Sequence, residues 1–182
     1  MSRIKVIAPA EASGRLKEIY GNIASSRGQV AEVLKIQSLR PESIVKHLDF
    51  YMEIMYAKSE LRRVDREMMA VVVSVTNKCE YCKTHHAAAL NKYWKDDLKI
   101  NQLAQNDWGF LTEEQRALCH FSKEITLHPH AGNEVDKLRK YAYTDSAILD
   151  AALVVSYFNF VNRMVLSLGV ELEPDKGENY KY

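Results

Sequence analysis

From Pro41 onward, apolar side chains return at Ile44, Leu48, Tyr51 and Met55, the three-and-four spacing of one helical face, and Pro41 itself suits a first helical turn. The pattern predicts an amphipathic helix over 42–57. Residues 64–75 differ, because their second half, MMAVVVSV, is apolar on nearly every side. Its valines would also suit a strand, but its length and neighbours make it a central buried helix. Thr76-Asn77-Lys78 then forms a short polar break, in which a Thr or Asn oxygen is expected to cap a helix opening near Cys79. Alanines 87 to 89 and Leu90 carry that helix to about Trp94.

Further along, Thr112 with Gln115 fits a capping box ahead of Leu118, Phe121 and Ile125, and the helix must stop near His128 because Pro129 disfavours helical geometry in the residue before it. Thr144 or Asp145 opens a long helix through Leu166, with Gly169 as its stop. Leu16, Ile19, Tyr20 and Ile23 mark a short amphipathic helix near the front. No glycine occurs between Gly28 and Gly109, so the middle of the chain has few breakers. The expected architecture is all-α and single-domain over 1–182: an N-terminal helical arm at 1–40, a helical core at 41–170, and a charged, solvated tail at 171–182. One internal echo stands out. VVSVTN at 72–77 and VVSYFN at 154–159 share four of six residues, and the continued register sets Val161 and Met164 opposite Cys79 and Cys82. Six residues in a helical protein can match by chance, so duplication stays open.

Composition narrows the function classes. With 182 residues the chain can bury a full core, and 25 Lys+Arg against 24 Asp+Glu give a formal charge of +1, no general reason to expect nucleic acid or an anionic membrane as partner. The N-terminal MSRIKVIAPAEASG lacks the apolar core of a secretory signal, so a cytoplasmic location is expected. The apolar runs around 68–75 and 151–161 fall short of the roughly 20 residues of a membrane span and are read as buried helices. Three cysteines in a reducing compartment argue against a disulfide framework, which gives weight to chemistry at the close pair Cys79 and Cys82 and leaves Cys119 over.

That pair lies in NKCEYCKTHHAAAL. On a helix starting at Cys79, Cys82 and His86 follow at offsets of three and seven, which puts all three side chains on one face. A Cys-x-x-Cys at a helix start favours thiolate through unpaired N–H groups and the helix dipole, and its spacing lets one sulfur attack and the other resolve. His86 can act as base or acid near neutral pH. Glu67 lies ten residues before Asn77 and His86 nine after it, so an antiparallel hairpin about that break brings the two together. At the edge of MMAVVVSV, desolvation is expected to raise the Glu67 pKa toward a proton-shuttling range. The candidate catalytic residues are Glu67, Cys79, Cys82 and His86.

Glu67, Cys79, Cys82 and His86 at these spacings resemble the alkylhydroperoxidase AhpD core of the carboxymuconolactone decarboxylase-like superfamily. PAEASGRLKEIYGNI, LRRVDREMMAVVVSVTN, the doubled histidine after CEYC, and NFVNRM resemble its branch of peroxidase-related enzymes, over most of the chain. The resemblance implies an AhpD-like helical bundle and an oligomeric thiol peroxidase with antioxidant function, a dimer or a hexamer built from such dimers. Cys82 would attack a hydroperoxide and pass through sulfenic acid, Cys79 would close the disulfide, and Glu67 with His86 would relay protons through a bound water. A dithiol or lipoyl-type reductant would reopen the disulfide, and neither a metal nor another cofactor is called for. Tyr81 stands where the best-studied members of that family have a histidine. A phenol stays protonated at neutral pH, and His85 points about 100° away from His86.

Other readings bear on the same residues. Cys79 and Cys82 could be small core hydrophobes, or bind zinc with His86 and a fourth ligand from His85, Cys119 or His120; drawing both halves from one helix argues against zinc. Glu67 alone reads as a surface acid paired with Arg63 or Arg66. His85 reads as a solvent-facing or interface residue, Tyr81 as lining an entrance or a subunit contact, and Cys119 as a buried inert thiol. A non-catalytic helical oligomer or metal-binding protein that keeps the motif, and a lactone decarboxylase, are the alternatives to the peroxidase. The latter needs no cysteine pair.

Overall fold

In this computed structural model, which describes residues 2–130 and 132–175, helix is the only regular structure among the described residues. The helices are α1 Gly14–Arg27, α2 Glu32–Lys35, α3 Pro41–Tyr56, α4 Arg63–Thr76, α5 Glu80–Trp94, α6 Asp97–Ala104, α7 Glu113–Leu127, α8 Glu134–Lys140 and α9 Asp145–Leu168, with a 3₁₀ turn at Pro9–Glu11 ahead of them. The chain forms two compact units. The first draws its described residues from 2–52 and 163–175, and the second is Glu53–Asn162.

The first unit is built on the amphipathic α1. Its Leu16, Ile19, Tyr20 and Ile23 are buried, as their spacing predicts, and cluster with Ala12, Val30, Leu34 and Ile44. The Tyr20 hydroxyl donates to Ile7 O at 3.1 Å and Ser38 Oγ accepts from Ile7 N at 2.9 Å, so the chain entering α1 is tied down. The tail expected to be solvated contains a buried acid: Glu173 is 5% exposed and accepts the Glu32 N–H at 2.8 Å, which is one of the orphan donors at the start of α2. Residues 176–182 of that expected tail lie outside the described residues.

In the second unit α4 is the central rod, packed by α5, α6 and α7. Every side chain from Met68 to Val73 is buried, which accounts for the all-round apolarity of the segment. Ahead of it, Arg66 is buried with its guanidinium spent on three carbonyls, Leu61 O, Ile54 O and Ala57 O, at 2.9 to 3.0 Å. The 112–128 segment forms as its sequence predicts, with Thr112 and Gln115 in a capping box and His128 closing the helix. Thr144 Oγ1 accepts from Ala147 N at 3.2 Å and starts α9, and Gly169 ends it with φ +67°. By length and composition α9 could cross a membrane, but Val154, Val155 and Phe158 are wholly buried within the protein. Emptying the Phe158 site by truncation to Ala would cost about 3–5 kcal/mol.

The turn between α4 and α5 differs from the expected cap. Lys78 N–H donates to Val75 O at 3.0 Å and Cys79 N–H to Ser74 O at 2.8 Å, the double closure that ends a helix through a left-handed residue. That residue is Lys78, with φ +57°, where glycine is the common choice. Cys79 occupies the capping position of α5. The Thr76 and Asn77 side chains serve elsewhere: Thr76 Oγ1 donates back to Val72 O at 2.7 Å, and Asn77 Nδ2 donates to Asn159 Oδ1 and Asn162 Oδ1, each at 3.0 Å.

Candidate active site

The α4–α5 hairpin brings Glu67 and His86 together, with His86 Nδ1 2.6 Å from Glu67 Oε2. Glu67 is completely buried. Its other oxygen, Oε1, is held by Arg63, through Nε at 2.9 Å and a second, close contact from Nη2. Arg63 is fixed in turn by donating to Met55 O at 2.9 Å and by lying 3.6 Å over the Tyr56 ring. Burial by itself would lift the Glu67 carboxyl, as the sequence led us to expect. The opposing pull of His86 and then Arg63 outweighs it and holds the carboxyl below its ordinary range. Glu67 is therefore an anion that orients His86. An ionised carboxylate can only accept, so Nδ1 carries the proton of this contact and Nε2 is the nitrogen left for proton transfer. Phe158 meets the imidazole edge-on at 4.5 Å and limits its rotation.

Both motif cysteines are free thiols buried at the start of α5. The Cys82 thiol donates to Cys79 Sγ. That contact, helped by the Cys82 backbone N–H and opposed by burial, lowers the Cys79 pKa. Cys82 is pushed well up, first by the same contact and then by burial, while a hydrogen bond from the Asn162 side chain pulls the other way. The resting pair thus favours the anion on Cys79, although Cys82 is the sulfur one helical turn from His86.

Asn162 was not singled out from the sequence. It is wholly buried, accepts from Asn77, donates to Ser74 Oγ at 3.3 Å and touches Cys82. Its only sequence signal was a polar residue just past the apolar run at 151–161. The echoed segments meet at their last residues, Asn77 and Asn159, through a direct hydrogen bond. His85, expected toward solvent or an interface, is instead buried, its ring 4.6 Å from that of Tyr81, which is buried too; the open side of this part of α5 is formed by Glu80 and Ala88. Cys119 is buried on α7, and its thiol is pushed far up by burial and by Asp65. His120 packs edge-on against Trp108 at 4.9 Å. Among the described residues, no three His, Cys, Asp or Glu side chains converge as metal ligands do.

Residues 46–107, which contain all four candidates, match the model of the carboxymuconolactone decarboxylase family. The whole fold is similar to the crystal structure of the alkylhydroperoxidase AhpD core, an uncharacterized peroxidase-related protein from Ralstonia eutropha JMP134. The TM-score is 0.86 and the identity 25%, over 98% of this chain and 96% of that one. In this segment and in its fold the chain is similar to the AhpD-like carboxymuconolactone decarboxylase superfamily. A second crystal structure, of an uncharacterized peroxidase-related protein from Silicibacter sp. TM1040, is similar at TM-score 0.82 and 25% identity, over 98% of this chain and 99% of that one. In sequence, the uncharacterized protein YdfG of Bacillus subtilis (strain 168) is 27% identical over 134 residues, 72% of this chain and 90% of that protein. Both of these solved structures are of proteins described as peroxidase-related.

Proposed function

We propose that the protein is a thiol-dependent peroxidase that reduces a hydroperoxide by cycling Cys79 and Cys82 between dithiol and disulfide. One observation carries the reading: the 2.6 Å contact between His86 Nδ1 and Glu67 Oε2, one helical turn beyond a hydrogen-bonded thiol pair. An imidazole oriented beside a sulfur is what proton management at a thiolate requires.

A pair that has lost one proton holds the other on Cys82. Its passage from Cys82 to Cys79 leaves the thiolate on Cys82, which attacks the terminal peroxide oxygen. The O–O bond breaks, Cys82 becomes a sulfenic acid, and the departing alkoxide takes the Cys79 proton through His86. The Cys79 thiolate then attacks the Cys82 sulfur, closing the disulfide and expelling hydroxide, which takes a proton from solvent. Two electrons pass from the dithiol to the peroxide, and the products are an alcohol, water and a disulfide. A resolving sulfur within one helical turn intercepts the sulfenic acid before further oxidation. A dithiol or lipoyl-type reductant reopens the bond. In this reading the protein works in the cytoplasm, in keeping with its three free thiols, and as a homo-oligomer. Leu149 and Phe160 support the assembly, since both are exposed and three helical turns apart on one face of α9.

The test is thiol titration before and after peroxide. Loss of two thiols that a dithiol restores is expected, with no loss in Cys82→Ser and a trappable sulfenic acid in Cys79→Ser. Peroxide consumption that survives Cys82→Ser would overturn the assignment of roles.

A further inference from the structure

The two sulfurs differ in what they face. A cavity of about 230 Å³ opens at the start of α5, walled by Ser74, Val75, Lys78, Cys79, Glu80, Lys83 and Ala104. Cys79 is in this wall. Cys82, His86 and Glu67 are not. Val75 and Ala104 supply apolar surface suited to a short methylene chain, while Lys78 and Lys83 bring two ammonium groups. Lys83 is offset by Glu80 at 2.7 Å, but Lys78 is exposed and makes no ion pair among the described residues, so the net charge of the wall is positive. The left-handed backbone at Lys78 sets this side chain beside the first turn of α5, whose unpaired N–H groups carry partial positive charge of the same sign.

We propose that this cavity receives the reductant, that Cys79 is the sulfur it attacks, and that Lys78 with Lys83 favours a thiol bearing a carboxylate. The inference rests on the disulfide cycle proposed above. The incoming thiolate forms a bond to Cys79 Sγ as the Cys79–Cys82 bond breaks, and Cys82 leaves as a thiolate protonated through His86. A second thiol, on the same dithiol or on another molecule, then attacks the reductant's sulfur in the mixed disulfide and releases Cys79, so that two thiols are oxidised for each protein disulfide reduced. Thiolate leaving groups of low pKa depart faster, which by itself would direct attack to Cys82. Position decides otherwise, because Cys79 is the member of the buried pair that lines the cavity.

The experiment closes the pair with diamide rather than with peroxide, so it stands apart from the peroxidase reading. Reopening by 3-mercaptopropionate and by 2-mercaptoethanol is followed by thiol counting, each rate taken per thiolate and divided by the rate of the same thiol with a neutral reference disulfide. At low salt the anionic thiol is expected to be favoured about three- to five-fold, as for one or two exposed ion pairs, and the preference should fade at 1 M salt. Lys78→Gln should lower the ratio and Lys78→Arg restore it. Peptide mapping of Cys82→Ser treated with the mixed disulfide of 3-mercaptopropionate should find the adduct on Cys79. A ratio near one in the natural protein, or one that Lys78→Gln leaves in place, overturns the inference. So does failure of Cys79 to form the adduct in Cys82→Ser, or failure of diamide to close the pair. Closure by diamide but not by peroxide sinks the peroxidase reading alone.

Discussion

Replacing Glu67 by Gln tests the relay at its most buried point. The substitution keeps shape and removes one charge, and its consequence follows from who claims which atom. Arg63 directs two N–H groups at one carboxylate oxygen, so the single carbonyl oxygen of the introduced amide would stay with Arg63. The amide nitrogen is then left facing His86 Nδ1, and two donors cannot share that contact. The ring must move its proton to Nε2 or turn away against Phe158, and either outcome removes the lone pair that would serve the sulfurs. Loss of a general acid–base group costs roughly 10²- to 10⁴-fold in rate, or about 3–6 kcal/mol of barrier at about 1.4 kcal/mol per decade. Stability should fall too, because the guanidinium of Arg63 loses its anion in a site only 16% exposed. Breaking one side of a buried pair costs about 3–5 kcal/mol, and in a chain of this size that lowers Tm by about 6–20 °C. The assays are stopped-flow loss of two thiols after mixing with peroxide and urea unfolding at pH 7. A Glu67→Gln protein that oxidises at the natural rate and loses less than about 1 kcal/mol would refute the relay.

Three further outcomes are expected. With the native protein, a small alkylating agent at pH 8 should label Cys79 and spare Cys119 until denaturant is added, because the Cys79 thiol is lowered by its contact with Cys82 while burial keeps Cys119 protonated; mass mapping checks it. His47 is buried and bonded to Gln37 at 2.7 Å, and desolvation lowers its pKa from 6.5 to about 4. Between those values the unfolded chain takes a proton that the folded one refuses, so stability should drop as pH falls through this window. At about 1.4 kcal/mol per pH unit the loss approaches about 3 kcal/mol by pH 4, and His47→Gln should flatten it in urea titrations. Asn162→Ala removes the donor to Cys82 and one acceptor of Asn77, at a cost of about 1–3 kcal/mol. Oxidation of the thiol pair should then shift to higher pH, a displacement that a purely structural asparagine would not produce.

What could be read in advance followed helical pitch. Glu67 and His86 share a contact because they lie at nearly equal distances from one break, and Cys79, Cys82 and His86 share a face because three and seven are near whole turns. Where the sequence was mute, the missing information was tertiary or stereochemical. Lys78 carries no mark of a left-handed residue, so the turn was read as a side-chain cap and the roles of Thr76 and Asn77 went unseen. Asn162 lies more than seventy residues from the sulfur it touches, in a stretch that reads simply as core. The sign of the Glu67 shift was missed for a related reason. Burial was legible in MMAVVVSV, but the convergence of Arg63 and His86 on the two oxygens of one carboxylate was not.

That convergence also explains why an acid can sit with no exposed surface at the heart of an apolar helix. A lone carboxylate there would neutralise itself by taking a proton, and a neutral acid would give His86 no fixed acceptor. Arg63 prevents this from the outer end of the same helix, one turn away, where its own charge is fixed by the Met55 carbonyl and the face of Tyr56. Glu67 thus uses its two oxygens differently, one to secure its charge and one to aim a base. The surface-acid reading of Glu67 and the relay reading are two ends of one arrangement, since the pairing with Arg63 that would explain the residue away is what keeps it ionised beside His86.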